Sequence, residues 1–180
     1  MLLSRETTLI RWANQFDLNL CLLFNSLVRK KQIQRLFVTI SRLGNGVFWY
    51  SLMIALPLLY GLEGLVSAIH MAGVGVAGVL IYKTIKNSFV RDRPFVSHTE
   101  IQMGTQPLDQ YSFPSGHTLH AFAFSIVAIS YYPLLAFILI PFSLLVAASR
   151  MILGLHYPSD VLMGAAIGTL LAQSSLFLMG

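Results

Sequence analysis

Two histidines in this 180-residue chain lie in polar, turn-forming stretches that interrupt a mostly apolar sequence. His117 ends the stretch YSFPSGH, and His156 begins the stretch HYPSD. Histidine gains and loses protons near neutral pH and can also act as a nucleophile. Lys and Arg residues occur close to both stretches and bind anions through charged hydrogen bonds. This combination indicates chemistry on a multivalent anion.

Lys86 and Arg93 are the first candidate anion ligands. They are seven residues apart, so both would lie on one face if the segment is helical. Positive residues also commonly flank membrane spans without any further role. A pair on one face, however, suits binding of a multivalent anion.

The stretch Ser115-Gly116-His117 precedes an apolar run that starts at Thr118. Ser is a favoured helix N-cap, so Ser115 is expected to begin a helix. The free backbone N–H groups of a helix start bind anions, and Gly116 permits close approach. Capping and anion binding are compatible roles for this stretch.

The stretch HYPSD predicts a histidine beside a carboxylate at a helix start. Pro158 suits the first helical position, which puts His156 just outside the helix and Asp160 in its first turn. Asp160 can then accept a hydrogen bond from Nδ1 of His156 and leave Nε2 directed outward. Interaction of Asp160 with the helix dipole alone is the simpler alternative.

The composition indicates a polytopic membrane protein of one domain, residues 1–180. Hydrophobic residues make up 56% of the chain and charged residues 11%, a balance that soluble globular domains do not show. The net charge of +5 therefore favours anionic lipid over nucleic acid as a partner. The single cysteine, Cys21, excludes an intrachain disulfide, and no zinc-type Cys/His spacing occurs.

Apolar segments predict an all-α bundle that positions these residues at one membrane face. Residues 7–28 form an interfacial amphipathic helix or a sixth span. A small-residue motif at Gly164 and Gly168 predicts close helix packing. Five spans are predicted, over residues 47–62, 64–82, 118–132, 133–148 and 161–179.

Counting spans places the connection 83–113 and the connection 150–160 on the same face of the membrane. The two histidine stretches and the cations therefore meet at one surface. Asp109, His98 and Glu100 are expected to be solvated loop residues.

The ordered motifs together resemble the three-part signature of the type 2 phosphatidic-acid phosphatase superfamily. The resemblance covers residues 86–160 and extends to the short-helix bundle of the compact bacterial members. The motifs are Lys86-x6-Arg93-Pro94, then Pro114-Ser115-Gly116-His117, then Ser149-Arg150-x5-His156-x3-Asp160.

The resemblance implies a metal-independent phosphatase that needs no cofactor. His156 is the nucleophile that forms a phosphohistidine, Asp160 orients it, and His117 is the general acid and base. Phosphate oxygens are held by Lys86, Arg93, Arg150, Ser115 and Gly116, and less critically by Ser149.

A lipid phosphate or diphosphate is the implied substrate, with undecaprenyl diphosphate placed first because RDRPFVSHT resembles the bacterial enzymes that hydrolyse it. Phosphatidylglycerol phosphate, phosphatidic acid and lipid A phosphate are the alternatives. A small transporter with His70 in an ion path, a membrane scaffold and a haloperoxidase are the remaining rivals. His120 either supports His117 or faces the bundle, and the oligomeric state is left open.

The family resemblance and the charge distribution predict opposite sides of the membrane for the active site. The resemblance implies a bacterial cytoplasmic membrane with the active site on its outer face. The positive-inside rule predicts the cytoplasmic face, because the face of the active site also carries a basic cluster. This cluster comprises Arg29, Lys30, Lys31, Arg35 and Arg42.

Overall fold

The computed structural model describes residues 8–179, with side chains from residue 12 onward. This part of the chain is helical and contains no strand, which confirms the all-α prediction. Short 3₁₀ helices cover Ser26–Arg29 and Pro133–Leu135, and a π-helical turn covers Leu43–Val47. The α-helices are α1 Thr8–Asn25, α2 Lys31–Arg42, α3 Phe48–Ser88, α4 Pro94–Ser97, α5 Gly116–Tyr131, α6 Ala136–Ile152 and α7 Pro158–Met179.

Helix α3 turns back on itself at Gly61. Gly61 has φ 60° and ψ −132°, a conformation that glycine adopts without the steric cost of a side chain. A Cβ atom added at Gly64 would overlap the backbone carbonyl of Leu56, so the chain packs closely across the break. Residues 48–60 and 62–88 are therefore two arms, and the break falls two residues before Glu63, which separates the first two predicted spans.

Three helical stretches are long and apolar enough to cross a membrane: Lys31–Ser88, Pro133–Ile152 and Pro158–Met179. Large apolar side chains such as Leu58, Phe137 and Phe177 are exposed on them, as expected for a surface that faces lipid. The count of five spans and the interfacial position of residues 7–28 remain predictions. Helix α1 covers most of that last segment, and residue 7 lies outside the described part.

Helix α5 forms the centre of the bundle and packs against α3, α6 and α7. Trp49 from α3 is buried and stacks at an angle on Phe124 of α5, with ring centroids 5.3 Å apart. On the other side, a Cβ atom at Gly164 would lie 2.5 Å from the Ser115 carbonyl oxygen, and one at Gly168 would overlap the Leu119 carbonyl. The small-residue motif is thus a close helix contact, as predicted.

The two connections predicted to share a face are in direct contact. The Gly104 amide donates to the Leu153 carbonyl at 3.0 Å, and the Ser115 amide donates to the Asp160 carbonyl at 3.1 Å. The first bond joins residues 83–113 to residues 150–160, and the second joins the residue that precedes α5 to the first turn of α7. The residues that the sequence singles out for chemistry are therefore brought to one end of the bundle.

Candidate active site

A cavity of about 680 Å³ opens at the end of the bundle where the two connections meet. Six of the nine predicted site residues line it: Lys86, Arg93, Gly116, His117, Arg150 and His156. These six residues thus come from five parts of the chain: α3, the 89–115 connection, α5, α6 and the α6–α7 turn. The other three, Ser115, Ser149 and Asp160, are fully buried behind the cavity surface.

His156 lies in the turn between α6 and α7, just before Pro158 begins α7 as predicted. Gly154 makes this turn possible with φ 71°, in the left-handed region that favours glycine. Nε2 of His156 is 3.3 Å from Nη1 of Arg93, and both residues line the cavity. Burial, followed by the charges of Arg150 and Arg93, holds the pKa of the His156 imidazole well below its ordinary value. The ring is therefore neutral, and the lone pair of Nε2 accepts from the Arg93 guanidinium.

Asp160 approaches the opposite side of the His156 ring but does not bond to it. Oδ2 of Asp160 is 3.8 Å from Nδ1 of His156, and that nitrogen has no hydrogen-bond partner among the described residues. The expected His156–Asp160 hydrogen bond is therefore not formed. The physical reason is competition, since Oδ2 accepts from the Tyr157 amide at 2.8 Å and Oδ1 from Nη1 of Arg91 at 2.6 Å.

The predicted common helix face for Lys86 and Arg93 is wrong. Helix α3 ends at Ser88, and Arg93 has an extended backbone with φ −74° and ψ 151°. A residue before proline is disfavoured in the helical region, and Pro94 follows Arg93. The two side chains nevertheless converge because the loop returns the Arg93 guanidinium to the end of α3.

Lys86 and Arg93 converge on Asp109, which the sequence places among the solvated loop residues. Nζ of Lys86 lies 2.8 Å from both carboxylate oxygens of Asp109, and Nη2 of Arg93 lies 2.6 Å from Oδ1. Partial burial opposes ionisation, but the two cations hold the pKa of the Asp109 carboxyl below its ordinary value. Asp109 therefore marks a position between the two cations that an anion can occupy.

Arg150 is buried at the cavity wall without a carboxylate partner among the described residues. Nη1 donates to the Ser41 hydroxyl of α2, and Nε has no partner. Its charge is therefore free to bind an anion in the cavity. The neighbouring Ser149 does not reach the cavity, because its hydroxyl donates to the Val146 carbonyl at 2.6 Å.

Ser115 caps α5 as predicted. Its hydroxyl oxygen accepts the Thr118 amide at 3.4 Å and lies 2.9 Å from the Thr118 hydroxyl. Helix α5 begins at Gly116, and the amides of a first helical turn lack intrahelical partners. Gly116 and His117, which belong to that turn, line the cavity.

Arg91 and Asp17 are site residues that sequence reasoning missed. Arg91 bridges two carboxylates, because Nη2 lies 2.7 Å from Oδ2 of Asp17 while Nη1 bonds Asp160. Asp17 also accepts the Ser159 amide at 2.9 Å and so ties α1 to the start of α7. The sequence did contain one signal for this contact. Asp17 lies within the apolar segment of α1, where an ionisable side chain needs a charged or hydrogen-bonding partner.

Two further histidines have contacts within the bundle. His70 is buried, and its ring nitrogens lie 3.0 Å from the Tyr131 hydroxyl and 3.0 Å from the Ser175 hydroxyl. This agrees with a hydrogen-bonded packing role. His120 lines the cavity, 2.8 Å from the Gly116 carbonyl and 3.2 Å from the Gly75 carbonyl.

The cavity continues away from the charged groups into an apolar groove between the two arms of α3. The groove has a mostly apolar wall. Its walls include Trp49, Tyr50, Met53, Val76 and Val79. A polar head at the charged end and an apolar tail in the groove would match the two halves of a lipid phosphate.

Comparisons with solved structures agree with this architecture. The crystal structure of Aquifex aeolicus LpxE superposes with a TM-score of 0.76 over 98% of this chain and 99% of that one, at 23% identity. The PAP2-type phosphatidylglycerolphosphate phosphatase from Bacillus subtilis superposes with a TM-score of 0.73 over 96% of this chain and 87% of that one, also at 23% identity. At these identities the similarity shows a shared fold.

Sequence comparisons identify the family. Undecaprenyl-diphosphatase BcrC of Bacillus subtilis (strain 168) is 36% identical over 114 residues, which cover 63% of this chain and 58% of that protein. The PAP2 superfamily model matches residues 65–179, which contain every signature residue of the cavity. With most of its length matched by that model, the chain belongs to the PAP2 superfamily.

Proposed function

We propose that this chain is a membrane lipid phosphatase that hydrolyses a lipid phosphate or diphosphate through a phosphohistidine, with undecaprenyl diphosphate as the first candidate substrate. One observation carries the proposal. The histidine Nε2, three cations and a helix start share a cavity whose other end is an apolar groove. The relative BcrC, named an undecaprenyl-diphosphatase, supports the choice of substrate.

His156 and Asp160 serve the nucleophilic step. Nε2 of His156 attacks phosphorus, so that a P–N bond forms while the P–O bond to the leaving group breaks. The imidazole becomes cationic in this step, and the carboxylate of Asp160 stabilises that charge from 3.8 Å away. The lowered pKa of His156 keeps the nucleophile neutral before the attack.

His117 transfers protons on the other side of the phosphorus. It donates a proton to the departing oxygen and then takes one from the water that cleaves the P–N bond. Lys86, Arg93 and Arg150 bind the non-bridging oxygens and balance the charge that develops in the transition state. The Gly116 amide binds phosphate at the start of α5, which the buried Ser115 caps. The products are inorganic phosphate and the lipid alcohol or lipid monophosphate.

Phosphate release by the purified protein tests the proposal. We expect hydrolysis of a prenyl diphosphate in mixed micelles with EDTA present, because side-chain cations replace a metal. His156→Ala should lower kcat by at least about 10³-fold, as loss of a nucleophile does in comparable enzymes. In the wild type, an acid-labile phosphoprotein should be trapped when labelled substrate is quenched with base.

His98→Ala is the matched control, because His98 lies in the connection 83–113 at the same end of the bundle but does not line the cavity. It should retain wild-type activity. Full activity in His156→Ala, or loss of wild-type activity on removal of divalent cations, would contradict the proposed mechanism.

A further inference from the structure

One face of the second arm of α3 lines the cavity along much of its length. The cavity-lining positions include Ala72, Val76, Val79, Lys83 and Lys86, which recur at intervals of three and four residues, the spacing of a single helix face. Gly75, Leu80 and Tyr82 lie beside them and also line the cavity. The position of a residue along this helix therefore gives its depth in the cavity.

Lys86 lies at the same depth as the proposed catalytic groups. It shares Asp109 with Arg93, and Arg93 lies against His156. At a rise of 1.5 Å per residue, Lys83 lies about 4.5 Å further along the helix axis, and Val79 about 10 Å. Lys83 is thus one turn away from Lys86, and the residues of α3 that line the cavity from Leu80 back to Ala72 are apolar.

The charge of Lys83 is not committed to a protein carboxylate. Lys86, Arg91 and Arg93 each pair with an aspartate, whereas Lys83 forms no ion pair with any residue in 12–179. Lys83 is exposed and belongs to the cavity wall. The cavity therefore has a second cationic position between its catalytic end and its apolar groove.

We propose that Lys83 binds the second phosphate of a lipid diphosphate and makes the site selective for diphosphates over monophosphates. The terminal phosphate lies among Lys86, Arg93 and Arg150, and the phosphate attached to the lipid lies beside Lys83. The tail then follows the apolar face of α3. This inference rests on the proposed phosphatase function and assigns Lys83, which lies outside the three signature motifs, as a specificity-determining residue.

A pair of substrates with the same tail tests the role of Lys83. Initial phosphate release is measured from farnesyl diphosphate and from farnesyl monophosphate with the full chain in detergent micelles. We expect Lys83→Gln to lower the ratio of kcat/KM for diphosphate over monophosphate by about 10- to 100-fold, which is the worth of one hydrogen bond to a charged group. Lys83→Arg should restore the ratio to within a few-fold of wild type.

Lys31→Gln is the matched control, because Lys31 is an exposed lysine outside the cavity wall. It should leave the ratio unchanged. A ratio in Lys83→Gln within threefold of wild type would overturn the inference while leaving the phosphatase proposal intact. A wild-type protein that releases phosphate from neither substrate would overturn both.

Discussion

Asp160 carries its carboxylate with no exposed surface, so the group that balances its charge affects both folding and chemistry. Arg91 provides that balance and also stacks over the Tyr157 ring, with its guanidinium carbon 4.0 Å from the ring centroid. Asp17 holds the other end of the guanidinium. We therefore regard Arg91 as a positioning residue that fixes Asp160 beside His156.

Arg91→Gln should lower kcat by about 10- to 100-fold with little change in KM, the usual scale for loss of an outer partner of a reacting group. Removing one partner of a buried ion pair also destabilises a protein by about 3–5 kcal/mol, so thermal unfolding is measured alongside. Asp17→Asn keeps the Arg91–Asp160 pair and should be affected less in kcat. A variant Arg91→Gln that loses stability but keeps kcat would contradict a positioning role.

The pH dependence of kcat/KM tests the protonation state of His156. Its lowered pKa means that His156, the proposed nucleophile, stays neutral as the pH falls below about 6.5, the ordinary histidine value. The acidic limb should therefore lie below that value. Arg150→Gln removes a nearby positive charge, raises the pKa of His156 and should move the limb to higher pH.

Ionisation of the substrate is common to both enzymes and cancels in this comparison. Lys30→Gln, which removes an exposed cation that does not line the cavity, should leave the limb unmoved. An acidic limb that is identical in wild type and Arg150→Gln would disprove the assigned cause of the pKa shift.

At the scale of elements, the α5–α7 contact determines where two site residues lie relative to each other. Ser115 at the start of α5 and Asp160 at the start of α7 are joined by a backbone hydrogen bond of 3.1 Å. Gly164, one helical turn further along α7, leaves room for this approach. The same contact therefore supports the bundle and aligns the two helix starts that carry candidate site residues.

Gly164→Ala should destabilise the protein by about 1–3 kcal/mol, because its Cβ would lie 2.5 Å from the Ser115 carbonyl and force the helices apart. Activity should fall in parallel as the two helix starts separate. Thermal unfolding in detergent and phosphate release measure the two effects. Gly73→Ala is the control, since its Cβ would meet nothing within 4 Å and alanine is the better helix former. Equal stability of the two variants would contradict the packing argument.

For the whole molecule, the side of the membrane that bears the cavity is the main open prediction. The basic residues on this face favour the cytoplasm by the positive-inside rule, whereas the family resemblance implies the outer side. Lys86 and Arg93 line the candidate phosphate site, so a binding role accounts for part of the positive charge on this face. On the strength of the family resemblance, we propose that the cavity opens on the outer face.

Labelling of a cysteine introduced at Gln106 tests this orientation. Gln106 is exposed in the connection that covers the cavity, and the buried Cys21 is first replaced by Ala. A membrane-impermeant maleimide should label Gln106→Cys in intact cells. Labelling that requires permeabilised cells would place the cavity in the cytoplasm.

The sequence by itself determined the all-α class and the residue types that line the cavity. The spacing of Pro158 and Asp160 predicted a helix start behind His156, and Ser115 predicted the start of α5, because capping preferences act over a few residues. Span counting also brought the two connections to one face, because apolar segments must cross the bilayer whatever their partners. The helix starts depend on local sequence alone, and the shared face depends only on how apolar segments partition into the bilayer.

Only the tertiary structure decided the partners of the buried charges. Asp109 reaches Lys86 across 23 positions, and Arg91 reaches Asp17 across 74. Such pairs leave no periodic signal in one sequence, since chain topology and not spacing brings them together. The 3.8 Å separation of His156 from Asp160 was equally unpredictable from the sequence. The Asp160 carboxylate instead accepts hydrogen bonds from the Tyr157 amide, which the helix start orients, and from Arg91, which is distant in the sequence.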